Sequence, residues 1–409
     1  MKNAVAVLLV LAMLLVLAGC RHDPEVLPAN TTPAITEETT TKPTIETTVT
    51  VNEDIIPEQA PMAAVSLPVS TTQSYTEDDQ LLFTYKCQTI SLIIPDSEIE
   101  DKVILDFQKR LDDFSSSAQE LSNQAKNDQQ TKADWKPYFY NVLYNPTRID
   151  LSVLSLFGTI TSWSGGAHPA HNCTSANYDL ITGDVLTLGS ILTHEDALEE
   201  LCVLLIGEVA EIKAEKFIVS DYEKIIRSRL IGNESYNEAW YFDNSGLNFY
   251  FSPYEIAPYS SGIITVTIPY EKLTGIIEDK YFPPETDVAA GIIHATRQAD
   301  ADLSAYTQIA EVILDKEGEM VFLSTNRSVH KVMIQTGRWN EAGTVFTVEC
   351  TVFATPMLTP GDAAMIQLSI PDTISNVRIS YESNGELIEE FISQSGEDGT
   401  ILLLNTTVK

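Results

Sequence analysis

Two histidines, His168 and His171, follow a glycine pair, Gly165-Gly166. His-x-x-His supplies two of the three or four ligands that a zinc site needs. Asp179 or Glu255 completes such a set only if the fold brings it close, and nothing in the spacing demands that. The expectation is therefore a histidine that hydrogen-bonds to hold the glycine loop, with no metal and no cofactor. Gly165 and Gly166 supply either a backbone at positive φ after a strand or amides that face a ligand. Tyr254, Glu255 and Tyr259 share a corner with Pro253 and Pro258, which fix φ and remove donors. One reading is structural: Glu255 accepts backbone amides and the tyrosines cap the core. The other is a surface for a sugar or a basic protein, made of two amphipathic rings beside a carboxylate. Trp163, Tyr138, Tyr140 and Tyr144 extend that platform if they leave the core, where strand aromatics usually stay.

No standard catalytic spacing accompanies these residues. Gly-x-Ser-x-Gly, His-Glu-x-x-His, the phosphate-binding P-loop and Gly-x-Gly-x-x-Gly are absent. Ser328-Val329-His330-Lys331 fits Ser-x-x-Lys, but it lacks a Lys-Thr-Gly companion and sits in a strand-rich stretch, so it reads as coincidence. Glu255 with Asp179 offers the enzymatic alternative, glycoside cleavage, which requires a carboxylate separation that only folding sets.

A further reactive side chain stands near the start. Met1-Lys2-Asn3 precedes an apolar run from Ala4 to Ala18, too short for a spanning helix of about 20 residues and suited to a signal peptide. The run closes in Leu17-Ala18-Gly19-Cys20, which resembles the bacterial lipobox. That resemblance implies a signal peptide over 1–19, a lipid-modified Cys20 and a chain held on the outer face of the cytoplasmic membrane, since two acyl chains anchor stably. Four more cysteines, Cys87, Cys173, Cys202 and Cys350, could pair outside the membrane or stay buried as thiols, and the sequence leaves the choice open.

Among 409 residues, 58 are Asp or Glu against 25 Lys or Arg, a formal charge of −33. Such a chain lacks the basic face that tracks nucleic-acid phosphates. It also lacks the clustered cations that dock on anionic lipid. Opposite fields would favour a cationic partner, although acidity also serves plain solubility.

The elements that must position these residues fall into segments. Residues 20–74 are rich in Thr, Pro and Glu, with ten Thr between Thr31 and Thr50, and read as a disordered tether that has little to bury. Residues 75–284 read as one α+β domain, an antiparallel sheet with packed helices. Leu82 to Thr89 alternate as a strand. Ser97 and Glu100 are spaced as a capping box before a stripe of Ile99, Val103, Phe107 and Leu111. Tyr138–Tyr144 and Arg148–Trp163 are strands joined by a turn at Asn145-Pro146. Helices are expected over Glu195–Lys216 and Tyr222–Leu230, and strands over Gly246–Phe251 and Gly262–Ile268. Residues 285–306 are a connection with a short helix. Residues 307–409, with about seven short strands, an Asn384-Gly385 hairpin and a Thr359-Pro360-Gly361-Asp362 turn, suggest an all-β sandwich of immunoglobulin-like architecture.

Three stretches of the middle domain carry a resemblance: Ser164-Gly165-Gly166-Ala167-His168, Asn177 to Gly183, and Phe251 to Gly262 followed by Val266 to Tyr270. Together they resemble the extracellular domain of the lysozyme-sensing anti-sigma-V factor and the non-catalytic domains placed before the catalytic domain of some peptidoglycan deacetylases. The likeness spans about Tyr75–Pro284. It implies a fold and a binding tendency, with lysozyme or cell-wall peptidoglycan as ligand and Gly165, Gly166, His168, Tyr254, Glu255 and Tyr259 as candidate contacts. Two departures follow. Only three residues precede the apolar run, so the segment with which the anti-sigma factor grips its sigma factor is not expected. The deacetylase metal domain is also not found, and a β-rich tail stands in its place. The expected protein is non-enzymatic and binds a ligand at the envelope. A wall hydrolase or deacetylase-like enzyme, or a structural assembly component, are the alternatives.

Overall fold

The apolar residues spaced four apart after Pro95 form a single long helix, α1 (Ser97–Thr131), in a computed structural model that describes residues 62–132, 134–231, 239–284, 291–370, 375–394 and 400–405. The expected signal peptide, Cys20 and the expected tether as far as residue 61 lie outside the described residues. The helix is capped by Asp96 rather than by Ser97: one Asp96 carboxylate oxygen accepts the N–H of Glu98 at 2.9 Å and of Ile99 at 3.3 Å. Asp96 has extended backbone angles and a side chain short enough to fold back on the first turn, whereas Ser97 is already helical. Val103, Phe107, Leu111, Ala118 and Ala125 form the buried face.

The strands in chain order begin with β1 (Ala64–Ser66), β2 (Val69–Tyr75), β3 (Leu81–Gln88), β4 (Ser91–Ile93), β5 (Tyr138–Ile149), β6 (Val153–Trp163) and β7 (Ala170–Asp179). Next come β8 (Trp240–Phe242), β9 (Gly246–Phe251), β10 (Ile264–Pro269), β11 (Ile293–Arg297), β12 (Gln308–Ile313) and β13 (Glu319–Thr325). The last are β14 (Val329–Trp339), β15 (Phe346–Leu358), β16 (Asp362–Leu368), β17 (Val377–Ser383), β18 (Glu386–Gln394) and β19 (Ile401–Leu404). Besides α1 the helices are α2 (Leu188–Ile191), α3 (Ala197–Lys216), α4 (Tyr222–Leu230) and α5 (Tyr270–Leu273).

The fold is α+β. A five-stranded sheet, β2-β3-β5-β6-β7, carries α1. A three-stranded sheet, β10-β9-β8, shares a core with α3 and α4 built from Leu201, Leu205, Trp240, Phe249 and Ile268 among others. Polar side chains stitch the two sheets together: Asn177 donates to the Trp240 carbonyl at 2.9 Å, and the Phe242 N–H donates to Ser155 Oγ at the same distance. Arg148 and Asp150 form a buried ion pair at 2.7 Å beside them.

The expected turn at Asn145-Pro146 is absent. β5 runs through Pro146 to Ile149, with its register against β6 shifted between Pro146 and Arg148. A bulge is where a strand tolerates a residue with no N–H. The chain reverses instead at Asp150, whose carboxylate accepts the N–H groups of Ser152 (2.7 Å) and Val153 (2.9 Å). Asn145 is spent elsewhere, accepting the Thr351 N–H at 2.9 Å.

The C-terminal region is a β-sandwich of two sheets, β11-β13-β16-β12 and β19-β18-β17-β14-β15-β1-β4. The Asn384-Gly385 turn joins β17 to β18 with both residues at positive φ, 56° and 78°. The boundaries differ from the expected ones in two places. β11 falls within the expected connection 285–306, and β1 and β2 fall within the expected tether 20–74. β1 lies between β15 and β4, antiparallel to both, with Val65 opposite Ala354 on one side and Leu92 on the other. Met62-Ala63-Ala64-Val65-Ser66-Leu67 is a short apolar run inside a polar stretch, and its alternation serves two cores at once. Met62 and Ala64 pack into the sandwich, while Ala63, Val65 and Leu67 pack against α1 and its sheet. The described residues from Met62 onward fall in one compact unit.

Candidate functional site

Two neighbouring connections bring the sequence-selected residues together. One is the loop Ser164–Pro169 between β6 and β7, and the other is the corner Ser252–Gly262 between β9 and β10. In the first, Gly165 takes φ +89°, and a Cβ there would sit 3.1 Å from the Tyr138 hydroxyl, so glycine answers both to conformation and to space. Trp163 holds the loop by donating its indole N–H to the Gly166 carbonyl at 2.8 Å. In the second, Tyr254 N–H donates to Ala257 O at 3.0 Å and Glu255 N–H donates to Ser252 O at 3.1 Å, folding the chain tightly between Pro253 and Pro258. Ile256 and Ala257 face the core.

The rings meet outside. His168 stacks on Tyr259 with centroids 4.3 Å apart and planes 32° apart, and the Tyr254 ring lies 5.6 Å from Tyr259. His171 stands 6.3 Å from the same ring. Tyr259 is fixed by its hydroxyl, which donates to the Pro169 carbonyl at 3.1 Å, so the two connections are tied directly. Both histidines are thus ring partners of Tyr259. Among the described residues no group of three or more His, Cys, Asp and Glu is arranged to hold a metal.

Tyr254 is 70 % exposed at φ 72°, a left-handed conformation that a tyrosine adopts only at a cost. A second exposed aromatic shares this property nearby: Phe217, at the C-terminal cap of α3, has φ 56° and is 71 % exposed. Two hydrogen bonds join this cap to the corner: the Val219 N–H donates to Ile256 O and the Ser261 hydroxyl donates to Lys216 O, both at 2.9 Å.

Glu255 does not join the rings at the surface. Its carboxylate accepts from Arg229 Nη1 at 2.6 Å and from the Ser252 N–H at 2.9 Å. Arg229 is itself buried, donates to the Tyr250 carbonyl at 2.8 Å and lies over the Phe251 ring at 4.6 Å. The pair is a charge-assisted clamp that holds the corner's shape. Cys173 lies in the field of this pair, and burial together with the Glu255 charge pushes its thiol up to about 12. All four described cysteines are free thiols, Cys202 and Cys350 buried and Cys87 and Cys173 half-buried.

Asp179, the other carboxylate of the enzymatic alternative, is enclosed by its own partners. One oxygen accepts the N–H groups of Ile181 (2.8 Å) and Thr182 (3.2 Å), and the other accepts from Lys280 and the Tyr281 hydroxyl, both at 3.1 Å. Burial alone would raise its pKa, but these donors outweigh burial and lower it. Both carboxylates therefore serve as structural acceptors.

Of the aromatics that could extend the platform, Tyr144 stays in the core against Phe107, 5.1 Å away, and Tyr138 is buried as well. Gly165 and Gly166 line a cavity of about 330 Å³, with Trp135 and Trp163 among its walls. Sequence reasoning missed Arg229, Phe217 and Trp135. Trp135 carried a signal, a lone indole in the polar run Ala133-Asp134-Trp135-Lys136-Pro137. Arg229 carried none, because its partner lies 26 positions away.

The fold and site define an α+β protein with a C-terminal β-sandwich and an aromatic corner from which Tyr254 projects into solvent. Residues 192–271, which include α3, α4, Arg229 and that corner, match the family model described as a protein of unknown function, DUF3298. Two crystal structures similar to this chain are DUF3298 family proteins. One, from Bacteroides fragilis, is 18% identical with a TM-score of 0.40, over 54% of this chain and 95% of that one. The other, from Pseudomonas aeruginosa, is 17% identical with a TM-score of 0.36, over 54% and 97%. Comparison with curated proteins gives no match.

Proposed function

We propose that this chain is a non-enzymatic binding protein of the bacterial envelope, anchored through lipid on Cys20, whose ligand is a cell-wall glycan. The observation that carries the reading is the His168–Tyr259–Tyr254 cluster, in which the exposed His168 and Tyr254 rings lie 4.3 and 5.6 Å from the half-buried Tyr259 ring, with the Tyr254–Tyr259 corner held by the Arg229–Glu255 pair. A sugar ring has apolar C–H faces and polar edges, and it gains most from flat, pre-positioned aromatic surfaces that lose little entropy on contact. The lipobox resemblance at Leu17–Cys20 supports the location, and the resemblance to the anti-sigma-V factor and deacetylase accessory domains supports a wall-facing role. The structural duties of Glu255 and Asp179 favour binding over hydrolysis.

A second reading has its own support in the formal charge of −33, which favours a cationic protein such as lysozyme. The two readings separate by experiment. Purified peptidoglycan should sediment the protein, Tyr254→Ala and His168→Ala should each release it, and added salt should leave sedimentation unchanged. Retention of both variants on the wall would refute the glycan reading. Calorimetric binding to lysozyme that fades with salt, with no sedimentation on peptidoglycan, would put the second reading in its place. Soluble sugar released from the wall by the protein, and lost in Glu255→Gln, would overturn the non-enzymatic assignment.

A further inference from the structure

The sandwich leaves the outer edge of β12 without a strand beside it among the described residues. β12 is the last strand of its sheet and pairs only with β16, in parallel and in unbroken register from Gln308 opposite Asp362 to Ile313 opposite Gln367. The Gln308 and Leu314 N–H groups donate to the carbonyls of Gly361 and Gln367, so the even-numbered residues of this ladder face β16. Peptide groups of successive residues in a strand point to opposite sides. The N–H and C=O groups of Ile309, Glu311 and Ile313 therefore point to the free edge. The side chains of the same three residues are exposed, Ile309 by 38 % and Ile313 by 43 %, while Ala310 and Val312 are buried in the sandwich core. Free edges are commonly blunted by Pro, Lys, a bulge or a very short strand. β12 runs for six residues with none of these, and its one charge is Glu311.

A groove runs beside this edge. A cavity of about 220 Å³ lies between β12 and β4, the last strand of the facing sheet, with Ser91 and Ile93 of β4, Ala64 of β1 and Ile309 and Glu311 of β12 among its walls. Glu311 is the one ionisable residue that lines it, and it enters no ion pair among the described residues. Those features select the occupant. Donors and acceptors repeating every second residue, about 6.6 Å, are matched by another extended backbone. A strand laid along β12 would set side chains beside Ile309, Glu311 and Ile313, and the last two contacts of this kind favour an apolar residue and a cation in alternation with backbone bonds. A second copy of this chain fits poorly, because it would bring its own Glu311 and a further formal charge of −33 to the same edge.

We infer that the free edge of β12 takes up an extended, cationic segment of another protein as an added strand, with a Lys or Arg of that segment beside Glu311. Backbone bonds to Ile309, Glu311 and Ile313 hold the segment, and the carboxylate selects its charge. This surface belongs to the sandwich and stands independently of the glycan reading.

The test uses the full chain in mild detergent and three synthetic peptides: a capped hexapeptide of alternating Val and Lys, the same peptide N-methylated at every residue, and its counterpart of alternating Val and Glu. Amide hydrogen exchange is followed residue by residue. The Val-Lys peptide should slow exchange at Ile309, Glu311 and Ile313, and the other two peptides should not. Glu311→Lys, an exposed change that leaves the ladder intact, should weaken binding of the Val-Lys peptide about fivefold, the worth of one surface charge pair. Ile309→Pro removes a free-edge N–H and leaves the bonds to β16 in place, and it should weaken binding about tenfold, with unfolding midpoints of both variants measured alongside. Unchanged exchange at all three amides under saturating Val-Lys peptide, or equal binding of the N-methylated peptide, would overturn strand addition. Equal binding of the Val-Glu peptide would overturn the cationic partner. A dimer in sedimentation velocity that Ile309→Pro dissolves would overturn the proposal in favour of a second copy.

Discussion

Val65 offers the sharpest test of how the chain is held together. It is fully buried in the three-residue strand β1, opposite Ala354 and Leu92, and its side chain belongs to the core that includes Phe107, Val142 and Tyr144. Val65→Asp gives up about 2 kcal/mol of apolar burial. It also places a carboxyl in an apolar layer, where protonation or lack of a partner costs on the order of 3 kcal/mol more. The sum, about 5 kcal/mol, reaches the lower end of the stability of an ordinary folded domain. Because β1 serves both cores, the loss should appear in the α+β part and in the sandwich together. Denaturant unfolding followed by far-UV circular dichroism and by tryptophan emission should show both signals shifting to lower denaturant. Val69→Asp is the control, four residues on but on the edge strand β2 and 42 % exposed, where the change should stay within about 0.5 kcal/mol. A fragment that starts at Tyr75 lacks β1 and should fail to accumulate as soluble protein, since β15 and β4 would then lose their shared neighbour. Coincident unfolding curves for Val65→Asp and the parent chain, or a stable Tyr75–Lys409 fragment, would refute the reasoning.

Three other outcomes follow from the same structure. Tyr254→Gly removes a left-handed tyrosine, which costs about 1–2 kcal/mol, but adds chain entropy to the unfolded state, so a net gain of about 0.5 kcal/mol is expected together with loss of glycan binding. A destabilised variant would mean that the ring supports the corner. The Asp179 carboxyl titrates below its ordinary value, because the Ile181 N–H, Lys280 and Tyr281 outweigh burial. Its stabilising contribution is therefore complete above the unfolded-state value near pH 4 and disappears as pH falls through the lower folded value. Unfolding free energy should drop below about pH 4, and Asp179→Asn should flatten that drop; an equal slope in both proteins would assign it elsewhere. Finally, Cys173, Cys202 and Cys350 have thiols pushed up by burial, so maleimide at pH 8 should label them slowly in the native protein and fully in denaturant. Fast native labelling at any of the three, read by peptide mass spectrometry, would contradict their placement.

Much of the fold was legible in the sequence. The four-residue stripe from Val103 to Leu111, the helix Tyr222–Leu230 and the Asn384-Gly385 hairpin all appear where local pattern predicts them, since each is decided by neighbours within a few positions. Asn145-Pro146 misled for the same reason: locally it is a turn signal, and only pairing with β6 and the bond from Thr351 make it a bulge. The candidate site divides along the same line. Residue type and proximity in the chain singled out Tyr254, Tyr259 and His168, but left open whether the tyrosines cap the core or face out.

By itself, then, the sequence determined the α+β class with its β-rich tail, most element positions and the aromatic corner as the place to look, because helix faces, hairpin turns and proline corners are properties of short stretches. Tertiary structure alone decided that residues 62–67 belong to the folded body, that Glu255 is clamped by Arg229, that His168 stacks on Tyr259, and that Trp135 and Trp163 wall a cavity. Each of these depends on contacts that range from 26 positions to nearly 300 apart, set by which apolar faces bury one another once the whole chain has collapsed.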